Sequence, residues 1–364
     1  MCYKRAIYVP KQVPLGLTLV ELLIAMALSL ILLGSLSQLF LANKTTHQLN
    51  NAVAHLQENA RYAATLIAKD IRMAGFRGCA SRDPQLAWAN HLANPARAFS
   101  PIQGIAGWET SMMDTTPGHY TASQARPVTD ASVAGWITSD THTPYLDDNT
   151  FAVAQSDIIR VWLTTGEPVG GNMVGSTFQA NTAVPYAARD VILLTDCQRA
   201  ELALVCSLSG KTADLACVDN QAFSLPNPTH GLQAYQYAGI VYYVGKRSKQ
   251  AQNPPSLYRR VISKNALAET AQEVVEGIES LQFVYGEDTA APSGIADQYV
   301  TADQVSDWQQ VVSVQIEILA RSIEPVLSAD EPQPVLFNGA NFRTNDGYLR
   351  YPFSFSVALR NRIP

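Results

Sequence analysis

The sequence predicts an α+β protein: one long N-terminal α-helix followed by a C-terminal antiparallel β-sheet head. Three observations predict it. Residues 16–42, GLTLVELLIAMALSLILLGSLSQLFLA, form an apolar run whose only formal charge is Glu21. Beyond it, apolar residues keep a helical period as far as Ala74. From Asp157 to the end, short runs rich in Val, Ile and aromatic residues replace that period with strand-like patterns.

The first element is a leader. Residues 1–16, MCYKRAIYVPKQVPLG, carry Lys4, Arg5 and Lys11, no acid, and end in Gly16. An ordinary secretory signal has its apolar run before the cleavage site, whereas here the run follows the glycine. The next segment, about residues 17–42, is the span. Leu22 to Ala42 holds no charge, and as a helix it would be about 31 Å long, enough for a hydrocarbon core roughly 30 Å thick. The basic leader places the N-terminus in the cytoplasm and the bulk of the chain outside it. Glu21 stands at the lip of the span. Either it lies shallow enough to reach the headgroups, or it is a carboxylate held there for a purpose.

The helix then continues. Leu49, Val53, Leu56, Ala60, Ala63, Ile67, Ile71 and Ala74 recur every three or four residues, one apolar face of an amphipathic helix. Gly75 and Gly78 supply a stop. One helix from about Leu17 to Ala74 would measure roughly 87 Å, so its first half is meant for lipid or for neighbouring subunits. Residues 76–156 are read as an irregular insertion with short elements. Pro, Gly, Ser, Thr, Asn and Asp crowd it, and Trp88, Trp108 and Trp136 are scattered through it. Those rings fill a small local core or form a binding surface.

Residues 157–364 make the β-rich head. Strands are expected at 157–165, 190–195, 201–206, 239–245 and 256–263. Two later ones are clearer. Val312, Val314, Ile316, Ile318 and Ala320 share one face of the first; Tyr351, Phe353, Phe355, Val357 and Leu359 share one face of the second. Such alternation means an antiparallel sheet covering something, and the apolar stripe of the helix is the candidate cover. Pro352 lacks a ladder donor, which places the last strand at an edge or bulge.

Composition limits the class. The chain has 364 residues, 47% hydrophobic and 16% charged, with a single apolar span, so it is not a polytopic membrane protein. Without the leader, the 26 basic residues fall to 23 against 31 acidic ones, a net charge near −8. That balance disfavours nucleic acid as a partner, since duplex affinity rests on phosphate neutralisation. Cys2 leaves with the leader, and Cys79, Cys197, Cys206 and Cys217 remain. Four cysteines in an exported head allow two disulfides in three pairings, or none if all stay reduced. Cys206–Cys217 is favoured because CSLSGKTADLAC reads as a turn closed on itself, which leaves Cys79–Cys197.

Enzyme motifs fail. SGKT at 209–212 lacks the glycine a phosphate loop needs, because Val205 stands there. GGNMVGS at 170–176 reads as a loop without a lysine. The six histidines are dispersed, with His47 and His55 on the helix surface. Asp147-Asp148-Asn149 and Asn345-Asp346-Gly347 are calcium-capable in principle and read as ordinary turns. No catalytic residue, metal ligand or cofactor is expected.

The basic leader, Gly16 and the span with Glu21 resemble the type III signal of type IV pilins and pseudopilins. That resemblance implies a type IV pilin-like fold, cleavage between Gly16 and Leu17 by a prepilin peptidase, N-methylation of Leu17, and an assembly role for Glu21 as fifth mature residue. Leu17 departs from the commoner phenylalanine, and Pro14-Leu15 from the frequent basic residue before the glycine. Three further stretches resemble the PilW family of minor type IV pilins: KDIRMAGFRGC (69–79), VVEGIESLQFVYGED (274–288) and RYPFSFSVALRNR (350–362). The family implies a non-enzymatic subunit of the complex that initiates pilus assembly. It would sit in the bacterial inner membrane with its head in the periplasm, then in the pilus at the cell surface. Its implied partners are other minor pilins, the major pilin, the prepilin peptidase and the inner-membrane assembly platform. The alternatives are a minor pseudopilin of a type II secretion system and a tip adhesin binding through residues 80–156.

Overall fold

A computed structural model describes residues 18–78, 87–92, 99, 103–110, 125–127, 136–138, 151–153, 155–217, 231–247, 254–263, 271–290, 293–328 and 332–363. The chain divides into two compact units, Met1–Asn51 and Ala52–Pro364. The helix α1 runs from Leu19 to Met73, and its stop is at the expected glycines. Gly75 takes φ +68° and Gly78 φ +92°, a left-handed geometry that glycine adopts without steric cost and that ends helices.

In the first unit every described residue but Leu49 is exposed. The second unit is built on strands. These are β1 (Ala87–Asn90), β2 (Ile105–Thr110), β3 (Ala125–Pro127), β4 (Trp136–Ile137) and β5 (Phe151–Val153). Next come β6 (Ile158–Val174), β7 (Thr177–Ala180), β8 (Val191–Thr195), β9 (Arg199–Leu204) and β10 (Ser207–Ser209). Then follow β11 (Thr212–Asp214), β12 (Leu232–Lys246), β13 (Ser256–Ile262), β14 (Gln272–Glu276) and β15 (Ile278–Glu287). The last are β16 (Gln298–Val300), β17 (Val311–Arg321), β18 (Gln333–Phe337), β19 (Ala340–Thr344) and β20 (Arg350–Ala358). The protein is α+β.

A 14-stranded sheet has β6 and β12 at its centre, paired antiparallel over ten positions. β6 is continuously buried from Ile158 to Thr164 and β12 almost throughout, as strands covered on both faces must be. A second, four-stranded antiparallel sheet has the order β16-β15-β17-β20, and β18 and β19 form a hairpin. Among the described residues only β1 with β9 pairs in parallel.

The stripe of α1 is where the sheets meet it. Leu56, Ala60, Ala63, Ile67, Ile71 and Ala74 lie in one buried cluster with Ile159, Val161, Ile240 and Leu257 of the large sheet. Leu281, Phe283, Ile316, Ile318 and Val357 of the small sheet complete it. Three alanines on that stripe let backbones approach closely. The opposite face of the large sheet carries a second core, with Trp108, Trp162, Leu193, Leu202, Tyr237 and Tyr243.

The described parts of residues 76–156 hold short strands that join the large sheet. β2 pairs with β6 through Ile105–Val161 to Trp108–Ile158, and β1 extends the far edge beside β9. Trp108 is 2% exposed in the second core. The polar composition masked these strands because each is short. One expectation needs correction: residues 170–174 are not a loop but the end of β6. A Cβ on Gly171 would stand 2.4 Å from the Gln179 carbonyl oxygen, so the glycine marks close packing of β7 rather than a turn.

Candidate functional site at the helix start and the charged joints of the β-rich unit

The first functional candidate is the start of α1. Fifteen large apolar side chains between Leu19 and Leu41 stand 54–73% exposed. Soluble proteins rarely leave such a continuous apolar surface open, and α1 is long and apolar enough to cross a membrane. Gly34 has nothing within 4 Å of a built Cβ. Gly16 and Leu17 lie outside the described residues.

Glu21 has a partner that the motifs did not disclose. Its Oε2 accepts from the Thr18 backbone N–H and from the Thr18 hydroxyl, each at 3.0 Å. The Glu21 N–H in turn donates to Thr18 Oγ1 at 3.3 Å. This is a reciprocal capping box that satisfies otherwise orphaned helix donors. The signal was present as Thr-x-x-Glu just before an apolar run.

The cysteines divide between described and undescribed residues. Cys206 and Cys217 form a disulfide with Cα atoms 5.8 Å apart. It ties the end of β9 to the segment after the β10–β11 hairpin, and SGKT is the turn of that hairpin. Cys197 is disulfide-bonded; its expected partner, Cys79, lies outside the described residues.

Three buried charged joints were missed in the sequence. Asp70, 7% exposed on α1, accepts from the Tyr242 hydroxyl at 2.6 Å and from Arg259 Nε at 3.3 Å. Burial, and then the Asp70 charge, push the tyrosine hydroxyl up, so it stays a donor. The available signal was an acid three residues from Ile67, on the apolar stripe itself. The second joint is Glu279, fully buried, whose two oxygens accept from Arg350 Nε and one terminal nitrogen at 2.6 and 3.0 Å. Arg350 also holds Asp346 at 2.7 Å. That ion pair accounts for Asp346 within the Asn345-Asp346-Gly347 turn. Asp147-Asp148-Asn149 lies outside the described residues.

The third joint is acidic. Asp157, fully buried, accepts from the backbone N–H groups of Thr110 and Phe283 at 2.9 and 3.0 Å. Burial first, and then the charge of Glu109, push its carboxyl well above the usual range. Burial and the Asp303 charge likewise push Glu109 up to about 7. Asp157 ties β2 and β15 together across the two sheets. Among the described residues no group of three or more His, Cys, Asp and Glu is placed to hold a metal ion.

These features define a protein with a membrane-competent helix and a β-rich unit joined internally by buried charge. Residues 241–361 match the PilW family, described as type IV Pilus-assembly protein W, in agreement with the resemblance drawn from the motifs. The matched region is similar to a family described by type IV pilus assembly. It contains Tyr242, Arg259, Glu279 and Arg350, and ends short of Asp70 on α1. No curated protein and no solved structure matches the chain.

Proposed function

We propose that this chain is a minor pilin, a non-enzymatic structural subunit of the complex that initiates type IV pilus assembly, with a pilin-like fold. The observation that carries the reading is the division of labour along α1. Its first part exposes apolar side chains all round, and its later part closes a β-rich core. A subunit drawn from a membrane into a filament needs such a helix. Residues 1–16 would be the leader, cut after Gly16, with Leu17 methylated and residues 17–42 anchoring the chain in the inner membrane. The β-rich unit would then lie in the periplasm until assembly carries it to the surface. Its partners would be other minor pilins, the major pilin, the prepilin peptidase and the assembly platform.

The capping box sharpens the role proposed for Glu21. After cleavage, an α-amino group at Leu17, with an ordinary pKa of about 7.7–8.0, would be largely cationic near neutral pH. A neighbour's amine could then meet Glu21 during assembly, and a buried charge that requires a partner selects register. Glutamine at the same helix position keeps the cap but loses the charge. Glu21→Gln should therefore insert, be cleaved and yet recover partner pilins poorly by co-immunoprecipitation at equal membrane levels. Equal recovery would reduce Glu21 to a helix cap. Mass spectrometry of pilus-associated material should find a chain starting at methylated Leu17; a chain starting at Met1 there would end the pilin reading.

A further inference from the structure

The small sheet ends in an unfinished edge. Leu359 N donates to Val312 O at 2.8 Å, which sets the ladder phase between β17 and β20. Ser313 pairs with Ala358, Val314 with Val357, and so on to Arg321 with Arg350. The odd residues of β20 therefore spend their backbone groups on β17, because hydrogen-bonded pairs alternate along an antiparallel ladder. The even residues point theirs outward. Arg350 bears this out: its N–H donates to Gln333 Oε1 and its carbonyl accepts from Gln333 Nε2, both at 2.8 Å. Pro352 has no N–H to offer. That leaves Ser354, Ser356 and Ala358, all exposed, with no partner strand among the described residues.

The two faces beside that edge differ in chemistry. On one, Tyr351, Phe353 and Phe355 form a half-buried aromatic row with centroids 6.4 and 5.9 Å apart. On the other, cross-strand rows run Gln282–Glu317–Ser354 and Val284–Gln315–Ser356, lining a cavity of about 400 Å³. Glu317 there accepts the Asn338 N–H at 2.8 Å and meets no cation among the described residues.

The geometry points to the outer edge of β20, from Pro352 to Ala358, as a docking site for an extended segment of a partner polypeptide. That segment would alternate apolar with polar residues and carry a basic residue opposite Ser354. Strand addition supplies backbone bonds for affinity, while alternate side chains give specificity. The segment's apolar residues would continue the aromatic row. Its polar residues would cover the cavity, where the basic one lies two strand spacings, about 10 Å, from Glu317. Self-pairing with a second copy is disfavoured: centred on Ser354, it would set two Glu317 carboxylates in one row with no cation. The site is independent of the pilin reading, since it uses nothing from α1.

The test uses the full chain in detergent micelles and a short fluorescent peptide alternating valine with threonine, with a central lysine. Binding is read by anisotropy and by amide hydrogen exchange. The expected result is saturable binding with slowed exchange at Ser354, Ser356 and Ala358. Ser356→Pro removes an outward N–H without touching the β17 ladder, and should weaken binding about tenfold, as one lost hydrogen bond would. Glu317→Gln should erase the preference for the lysine peptide over one carrying glutamate. Absence of binding, or binding without slowed exchange at those amides, would overturn the proposal. So would concentration-dependent dimerisation with the same amides protected before peptide is added. The exchange measurement on the unaltered chain stands even if Ser356→Pro fails to fold.

Discussion

Leu33 and Ile67 belong to the same helix and carry side chains of nearly the same size, yet one is 60% exposed and the other fully buried. Around Leu33 no direction carries a formal charge. Around Ile67 the apolar residues occupy one stripe, with Arg61, Lys69 and Arg72 placed elsewhere. A helix apolar all round requires a low-dielectric surrounding, whereas a striped one requires a single covering surface. Helix formation is common to both segments; what each asks of its environment is not.

The largest expected effect lies in the covered region. Glu279→Ala leaves the buried Arg350 guanidinium with Asp346 but without the carboxylate that takes its Nε, and breaking a buried pair from one side costs about 3–5 kcal/mol. Urea unfolding followed by circular dichroism should show it, and a loss under 1 kcal/mol would mean that water reaches Arg350. Close behind, Ile67→Ala should destabilise the β-rich unit by about 2–5 kcal/mol, the usual cost of truncating a buried aliphatic side chain. Leu33→Ala should leave that unfolding curve unmoved. Equal effects from the two truncations would erase the contrast between the halves of α1.

The reverse contrast has its own test. Leu32→Arg should weaken membrane insertion by about 2.5–3.5 kcal/mol, seen as loss from the carbonate-washed membrane fraction, with no change in stability of the β-rich unit. A smaller effect, confined to that unit, belongs to the disulfide. In the chain-entropy picture, Cys206→Ser should cost about 3 kcal/mol at most, less wherever the reduced hairpin keeps its structure. Calorimetry with and without reductant would measure it, and an unchanged midpoint would leave the bridge ornamental.

The smallest effect depends on pH. Glu109 holds its proton up to about pH 7 when folded, against an ordinary value of 4.5. The folded state thus binds more protons than the unfolded one, so its contribution is complete below about 4.5 and is lost as pH rises through 7. Glu109→Gln should accordingly raise the melting temperature more at pH 8 than at pH 5. A difference of the same size at both values would mean that Glu109 titrates normally.

How much was legible follows from the range of each interaction. Short-range pattern disclosed the apolar span, the stripe from Leu56 to Ala74, the alternation of β17 and the turn between Cys206 and Cys217. All of these are relations between residues a few positions apart, and local periodicity reports them directly. The capping box of Thr18 and Glu21 was legible in the same way and was passed over. Long-range partners were not. Asp70 meets Tyr242 across 172 positions, and Glu279 meets Arg350 across 71. Nothing near either acid names the group that neutralises it. The placement of β12 between β6 and β8, and the recruitment of β1 and β2 from a polar stretch, were equally hidden. Sequence alone determined which segments are apolar and with what period, because that depends on side-chain identity along the chain. Tertiary structure alone decided which charges are buried and which edge stays open, because those depend on ladder phase and on neighbours brought together only by folding.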